Sequence, residues 1–105
     1  MKVYRDHNIP IEVTLSETFA ILLPSIPSAG FEWKADYDID IIEQIGEQEV
    51  TSLSQAIGGE VETKFKFRAK QLGETKIKMK YQRIWETHPF KEKDFTVRAR
   101  IPKTC

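Results

Sequence analysis

Few side chains of this chain have the type and spacing for covalent chemistry. Cys105 is the single cysteine and the last residue. A thiol becomes a nucleophile only beside an activating base or cation, and nothing in the sequence holds a histidine next to that tail. Ser25 and Ser28 stand in no Gly-x-Ser-x-Gly elbow. His7 and His88 lack metal-ligand spacing and have no cysteine companions. No enzyme activity, metal site or cofactor is expected.

What remains is the chemistry of contact, in three stretches. The first is Ile26-Pro27-Ser28-Ala29-Gly30, preceded by Leu23-Pro24-Ser25 and followed by Phe31-Glu32-Trp33. Two prolines fix φ and remove two backbone donors, and each biases the residue before it toward extended geometry. Gly30 supplies a positive φ where the chain turns back. A stiff, narrow loop with a small-residue tip suits entry into a cleft, because little ordering entropy is lost on binding. The same residues also serve simply to punctuate a strand-to-strand connection. The second stretch is Ala56-Ile57-Gly58-Gly59. The third is Arg83-Ile84-Trp85, two residue types enriched in interface hot spots flanking an isoleucine. Trp85 either anchors a partner or caps the end of the core.

These stretches are positioned by segments of period two. Ile11, Val13 and Leu15 alternate with polar residues, Phe19, Ile21 and Leu23 repeat that period, and Phe31, Trp33, Ala35 and Tyr37 then alternate with charged residues. Residues 39–45 are ambiguous, since Ile41, Ile42 and Ile45 also fit a helical turn. Glu49–Leu53 reads as a short strand. Val61, Thr63, Phe65, Phe67 and Ala69 alternate with charged residues, as do Ile77, Met79 and Tyr81, and finally Phe95, Val97, Ala99 and Ile101. With turns every eight to twelve residues, this is the pattern of an all-β antiparallel sandwich of about seven strands. Successive antiparallel strands reverse direction, so connections 24–30, 54–60 and 86–92 should meet at one end. That holds if 39–53 contains an even number of reversals.

At 105 residues the chain is expected to be a single domain, 1–105, and a monomer. Lysine plus arginine equal aspartate plus glutamate at 16 each, so net charge says nothing of partners. The distribution is uneven: residues 1–62 carry 12 acidic and 3 basic side chains, residues 63–105 carry 4 and 13. Either the halves interleave and neutralise each other, or a basic face meets an anionic partner. The stripes Lys64/Lys66/Arg68, Lys76/Lys78/Lys80 and Arg98/Arg100 are outward faces. A nucleic-acid-binding sheet would interleave aromatics there, but Phe65, Phe67 and Phe95 have the opposite parity. Nucleic acid is therefore not the expected partner. No apolar run approaches the roughly 18 residues of a membrane span, and no leader opens the sequence. The default expectation is a cytoplasmic protein, although a chain trimmed of a leader would look the same and be secreted.

In order and spacing, from about Ile11 to Ile101, the three stretches resemble the motifs of chagasin-type inhibitors of papain-like cysteine peptidases. That family carries Asn-Pro-Thr-Thr-Gly followed by an aromatic, any residue and Trp; then Gly-x-Gly-Gly; then Arg-Pro-Trp or Arg-Pro-Phe. Here Pro27, Gly30, Gly58, Gly59, Arg83 and Trp85 match, and Ser28 keeps a hydroxyl. Ile26, Ala29, Ala56 and Ile84 depart from the pattern. The resemblance implies an immunoglobulin-like antiparallel β-sandwich of about seven to eight strands. It implies a reversible, non-covalent protein inhibitor that occludes a peptidase cleft with three loops. Ser28 and Ala29 would approach the catalytic centre, Gly58 and Gly59 would let backbone approach the substrate groove, and Trp85 with Arg83 would pack on an aromatic wall. The alternative is a sandwich domain binding nucleic acid or another anionic surface through its lysine-rich faces.

Overall fold

The structure is a computed structural model that describes residues 1–25, 30–46, 48–52 and 61–101. Nine strands build two sheets: β1 Lys2–Tyr4, β2 Ile11–Thr14, β3 Thr18–Ser25, β4 Phe31–Asp36, β5 Ile42–Gln44, β6 Glu49–Ser52, β7 Val61–Ala69, β8 Gly73–Arg83 and β9 Lys91–Arg100. One sheet runs β1-β3-β7-β5, with β6 also paired to β7; the other runs β2-β9-β8-β4.

The alternation does what period two requires on β7, β8 and β9, whereas on β3 Ala20 and Leu22 of the other face are buried too. Phe19, Ile21 and Leu23 of β3 and Phe65, Phe67 and Ala69 of β7 turn one face inward. Ile11 and Val13 of β2, Trp33 of β4, Ile77, Met79 and Tyr81 of β8, and Phe95, Val97 and Ala99 of β9 meet them from the other sheet. Phe19 and Phe67 stack with centroids 5.7 Å apart, and Tyr37 meets Phe67 edge-on at 5.5 Å.

The all-β sandwich is as expected, with refinements. Pairing is not antiparallel throughout: β1 lies parallel to β3, and β2 parallel to β9. The chain does not fold β2 and β3 into a hairpin. At Leu15–Glu17 it crosses between sheets, where Leu15 N–H donates to Arg100 O and Ser16 N–H to Ala69 O, with Ser16 at φ 70°. Strand β1 has no sequence signal, being three residues long and mostly exposed. β3 extends through Pro24, opposite Glu62, to Ser25. The proline is tolerated because β1 pairs only with residues 19–21, leaving that side of β3 an edge. Strand β9 starts at Lys91, earlier than the hydrophobic pattern implies.

The ambiguous isoleucines are resolved by pairing. Asp38 O accepts from the N–H groups of Ile41 and Ile42, one turn, after which β5 runs along β7. Strands β5 and β6 lie on the same edge of β7 in the same direction. Gln44 of β5 stands opposite Phe67 and Glu49 of β6 opposite Lys64, so the two strands continue along β7 in one sense. No reversal intervenes, so Ser25, Ser52, Val61 and Arg83 all reach the same end of the sandwich.

The charge asymmetry is neutralised across strand pairs. Glu49 on β6 contacts Lys66 at 2.7 Å and Lys64 at 4.0 Å, and Glu43 on β5 contacts Arg68 at 2.6 Å. Asp36 on β4 meets Lys80, while Glu12 on β2 meets Arg98 and Arg100.

Candidate functional site

The inward row of β8 does not stop where the core stops. Ile77, Met79 and Tyr81 are buried, and Arg83, next in the same parity, emerges at the end of the sandwich. Phe31 does the same on β4, half-buried one step beyond Trp33. The result is an aromatic stack that runs out of the core. Trp33 and Tyr81 lie 4.7 Å apart, Tyr81 and Phe31 4.9 Å apart in near-parallel planes, and Phe31 and Phe90 5.5 Å apart. Cations close its flanks. Arg83 sits 4.9 Å over Phe31, Lys91 5.0 Å over Tyr81, and Lys93 5.9 Å over Trp33.

Beyond this stack the β8–β9 connection carries three exposed apolar side chains, Ile84, Trp85 and Phe90. Trp85 is 70% exposed, so it does not cap the core. It is nonetheless seated. A Cβ placed on Gly30 would lie 2.9 Å from Cη2 and 3.1 Å from Cζ3 of the indole, so the ring rests on the bare glycine. Gly30 has φ +82°, which an L side chain rarely adopts. Its identity thus serves both the turn into β4 and the seat of Trp85. Gly30 O accepts a bond from Ile84 N–H at 3.3 Å, tying the first and third stretches together through backbone. The Arg83 guanidinium lies 5.9 Å from the Trp85 ring and pairs with Glu86 at 3.3 Å.

Two positioning contacts carry no motif. Gln82, buried among mostly exposed neighbours, donates from Nε2 to Glu86 O at 3.1 Å, and Glu86 N–H donates to Arg83 O at 3.0 Å. Together they lock the turn that presents Trp85. Trp33 Nε1–H donates to Pro24 O at 2.9 Å, fixing the last residues of β3 against β4 where the first stretch departs. Neither contact is signalled in sequence, because each depends on where a neighbouring strand or turn places its backbone carbonyl.

Between the sheets at this end lies a cleft of about 210 Å³ bounded by Ser25, Gly30, Trp33, Val50, Thr63 and Ile84. Of the residues singled out in sequence, Gly30 and Ile84 line this cleft, and Arg83 and Trp85 stand at the same end of the sandwich. Ile26, Pro27, Ser28, Ala29, Ala56, Ile57, Gly58 and Gly59 lie outside the described residues. The segments that bear them depart from Ser25 and Ser52 and re-enter at Gly30 and Val61, all at this end. Among the described residues no three His, Cys, Asp or Glu side chains converge to hold a metal ion.

Several solved structures share this architecture. The cysteine protease inhibitor EhICP2 from Entamoeba histolytica is similar over 94% of this chain and 95% of its own, with a TM-score of 0.77 at 19% identity. Amebosin, solved in solution, gives a TM-score of 0.70 at 20% identity, covering 96% of this chain and 97% of its own. PbICP-C, solved in complex with falcipain-2, gives 0.62 at 15% identity, covering 97% and 100%. At these identities the likeness is one of fold. Comparison with curated proteins returns no match. The sequence model described as "Chagasin family peptidase inhibitor I42" matches residues 12–99, from β2 to the end of β9. With that match over most of its length, the chain belongs to the chagasin family of peptidase inhibitors.

Proposed function

We propose that this protein is a reversible, non-covalent inhibitor of papain-like cysteine peptidases, acting through the end of the sandwich that carries Gly30 and Arg83–Trp85. The observation that carries this reading is the seat of Trp85: a large aromatic, 70% exposed, yet held on Gly30 and on a turn locked by Gln82. An exposed indole fixed before binding loses little freedom when it packs on a partner. Family membership supports the reading, as do the fold neighbours EhICP2, a cysteine protease inhibitor, and PbICP-C, which is bound to falcipain-2.

The physical division of labour follows from side-chain size. Ile26–Gly30, narrow and stiffened by proline, enters the catalytic centre with Ser28 and Ala29 nearest its cysteine and histidine. Gly58 and Gly59 let backbone approach the substrate groove. Trp85, with Arg83 against it, packs on the wall of the cleft. This mode of binding needs no scissile bond to be presented, so the inhibitor is expected to leave the encounter intact. Progress curves with papain and a cathepsin-L-like enzyme, with mass spectrometry of the recovered inhibitor, test it. Full activity of both enzymes at micromolar inhibitor would rule it out.

The alternative, an anionic partner on the lysine faces, meets cations most of which are already engaged. Lys64, Lys66, Arg68, Lys78, Lys80, Arg98 and Arg100 each face a carboxylate within 4.0 Å. Sub-micromolar binding of single-stranded RNA with a steep salt dependence would favour that alternative.

A further inference from the structure

Phe90 is the most exposed aromatic among the described residues, at 72%, yet it is fixed at two points. Its backbone N–H donates to Tyr81 O at 2.7 Å, closing the β8–β9 connection directly before β9 begins. Its ring rests on Phe31, which is stacked in turn on the buried Tyr81. Phe90 adds nothing to the buried cluster, which ends at Tyr81 and Phe31. Nor is it part of the Arg83–Trp85 motif. The connection therefore displays two aromatic rings on different but adjacent supports, Trp85 on Gly30 and Phe90 on Phe31, with Arg83 against both Phe31 and Trp85.

We infer that Phe90 is a second anchor of the inhibitor, independent of Trp85, and that it packs on an apolar patch of the peptidase surface beside the wall met by Trp85. The inference rests on the reading of this chain as an inhibitor of papain-like peptidases. A ring that presents only C–H groups gains by covering carbon and loses by covering charge. Phe90 thus sets target range: a peptidase with apolar side chains at that place is held longer, and one with a charged or strongly hydrated surface there is released sooner.

The test is the dissociation rate of complexes formed with papain and with a cathepsin-L-like enzyme by the wild-type protein, F90A, F90L, W85A and the F90A/W85A double variant. Melting temperatures are measured alongside. F90A should dissociate about tenfold faster from at least one enzyme, as loss of a moderate hot spot implies, with melting unchanged. F90L should recover part of the loss. The double variant should dissociate faster than either single variant, because each ring buries its own area on the partner, with any shortfall from the product of the two factors reporting coupling through Arg83. Unchanged dissociation of F90A from both enzymes would overturn the inference and leave the proposed function intact. So would a double variant no worse than W85A, which would make Phe90 a prop for the first anchor. A marked fall in melting temperature in both F90A and F90L would overturn it too, placing Phe90 in the fold. A wild-type protein that inhibits neither enzyme would remove the function and this inference together.

Discussion

Trp33 and Trp85 belong to the same end of the molecule, yet one is sealed and the other bare. Trp33 is 4% exposed, packed on Tyr81, covered by Lys91 and Lys93, and satisfied at Nε1 by Pro24 O. Trp85 is 70% exposed and rests by one edge on a glycine. Both follow the first motif's turn in space, one directly after it on β4 and one across from it at the end of β8. Their difference separates two tasks that a small binding protein must perform within a few ångströms. Trp33 closes the core against water, where an indole does most for stability through buried area and a satisfied N–H. Trp85 keeps its area free to be buried later, against a partner. The aromatic stack Trp33–Tyr81–Phe31 between them lets the second task stand on a rigid floor.

The sharpest way to break this comparison is to exchange the expected losses. Trp33→Ala should destabilise the fold by about 3–5 kcal/mol, the range for a buried large aromatic. It should abolish inhibition only because the loops lose their base. Trp33→Ala melting like the wild type would show that the core does not need this ring.

Trp85→Ala should behave in the opposite sense. Inhibition should weaken by roughly 2–4 kcal/mol, as for an interface hot spot, with thermal melting almost unmoved. A melting temperature that fell as far as for Trp33→Ala would place Trp85 in the core and erase the distinction.

A smaller effect should follow from Gly30→Ala, which touches the seat and not the ring. A side chain at φ +82° is strained by about 1–2 kcal/mol, and its Cβ would displace the Trp85 indole. Weaker inhibition with a change in the Trp85 fluorescence contribution is expected. Unaltered inhibition would mean that the partner, and not Gly30, orients the indole.

The smallest effect lies on the strand faces, away from both tryptophans. The Glu49 carboxyl is held below its ordinary value by the hydrogen bond from Lys66, then by the charges of Lys66 and Lys64. A lowered folded-state value stabilises the fold at pH above the unfolded carboxylate range, and that contribution fades as pH falls through the lowered value. Glu49 itself is solvent-exposed, so the effect is slight. Glu49→Gln should melt a little below the wild type at neutral pH, with the gap closing in acid and inhibition unaffected. A gap that widened in acid would contradict the assignment.

The sequence alone determined a good deal, and for identifiable reasons. Period-two alternation is a local property, so the inward rows of β3, β7, β8 and β9 were legible, and with them the sandwich and the burial of Phe65, Phe67 and Phe95. The resemblance of three short motifs pointed to the family that the match over residues 12–99 bears out. Four residues of the candidate site, Gly30, Arg83, Ile84 and Trp85, could be placed at one end from strand counting, since each antiparallel reversal is a binary step.

Other features were decided only by tertiary structure, because they depend on partners distant in the chain. Strand β1 exists because β3 offers it an edge, and the parallel pairing of β2 with β9 follows from a sheet crossing at Ser16. Residues 41–45 fit two local geometries until β7 selects one by hydrogen bonding. The exposure of Trp85 turned on whether the inward row of β8 ends at Tyr81 or runs past it, which only the length of the facing core settles. The clasp of Gln82, the seat on Gly30 and the support of Phe90 by Phe31 join side chains to groups on other turns and strands. No periodicity encodes such contacts, since they arise where regular structure stops and three-dimensional proximity takes over.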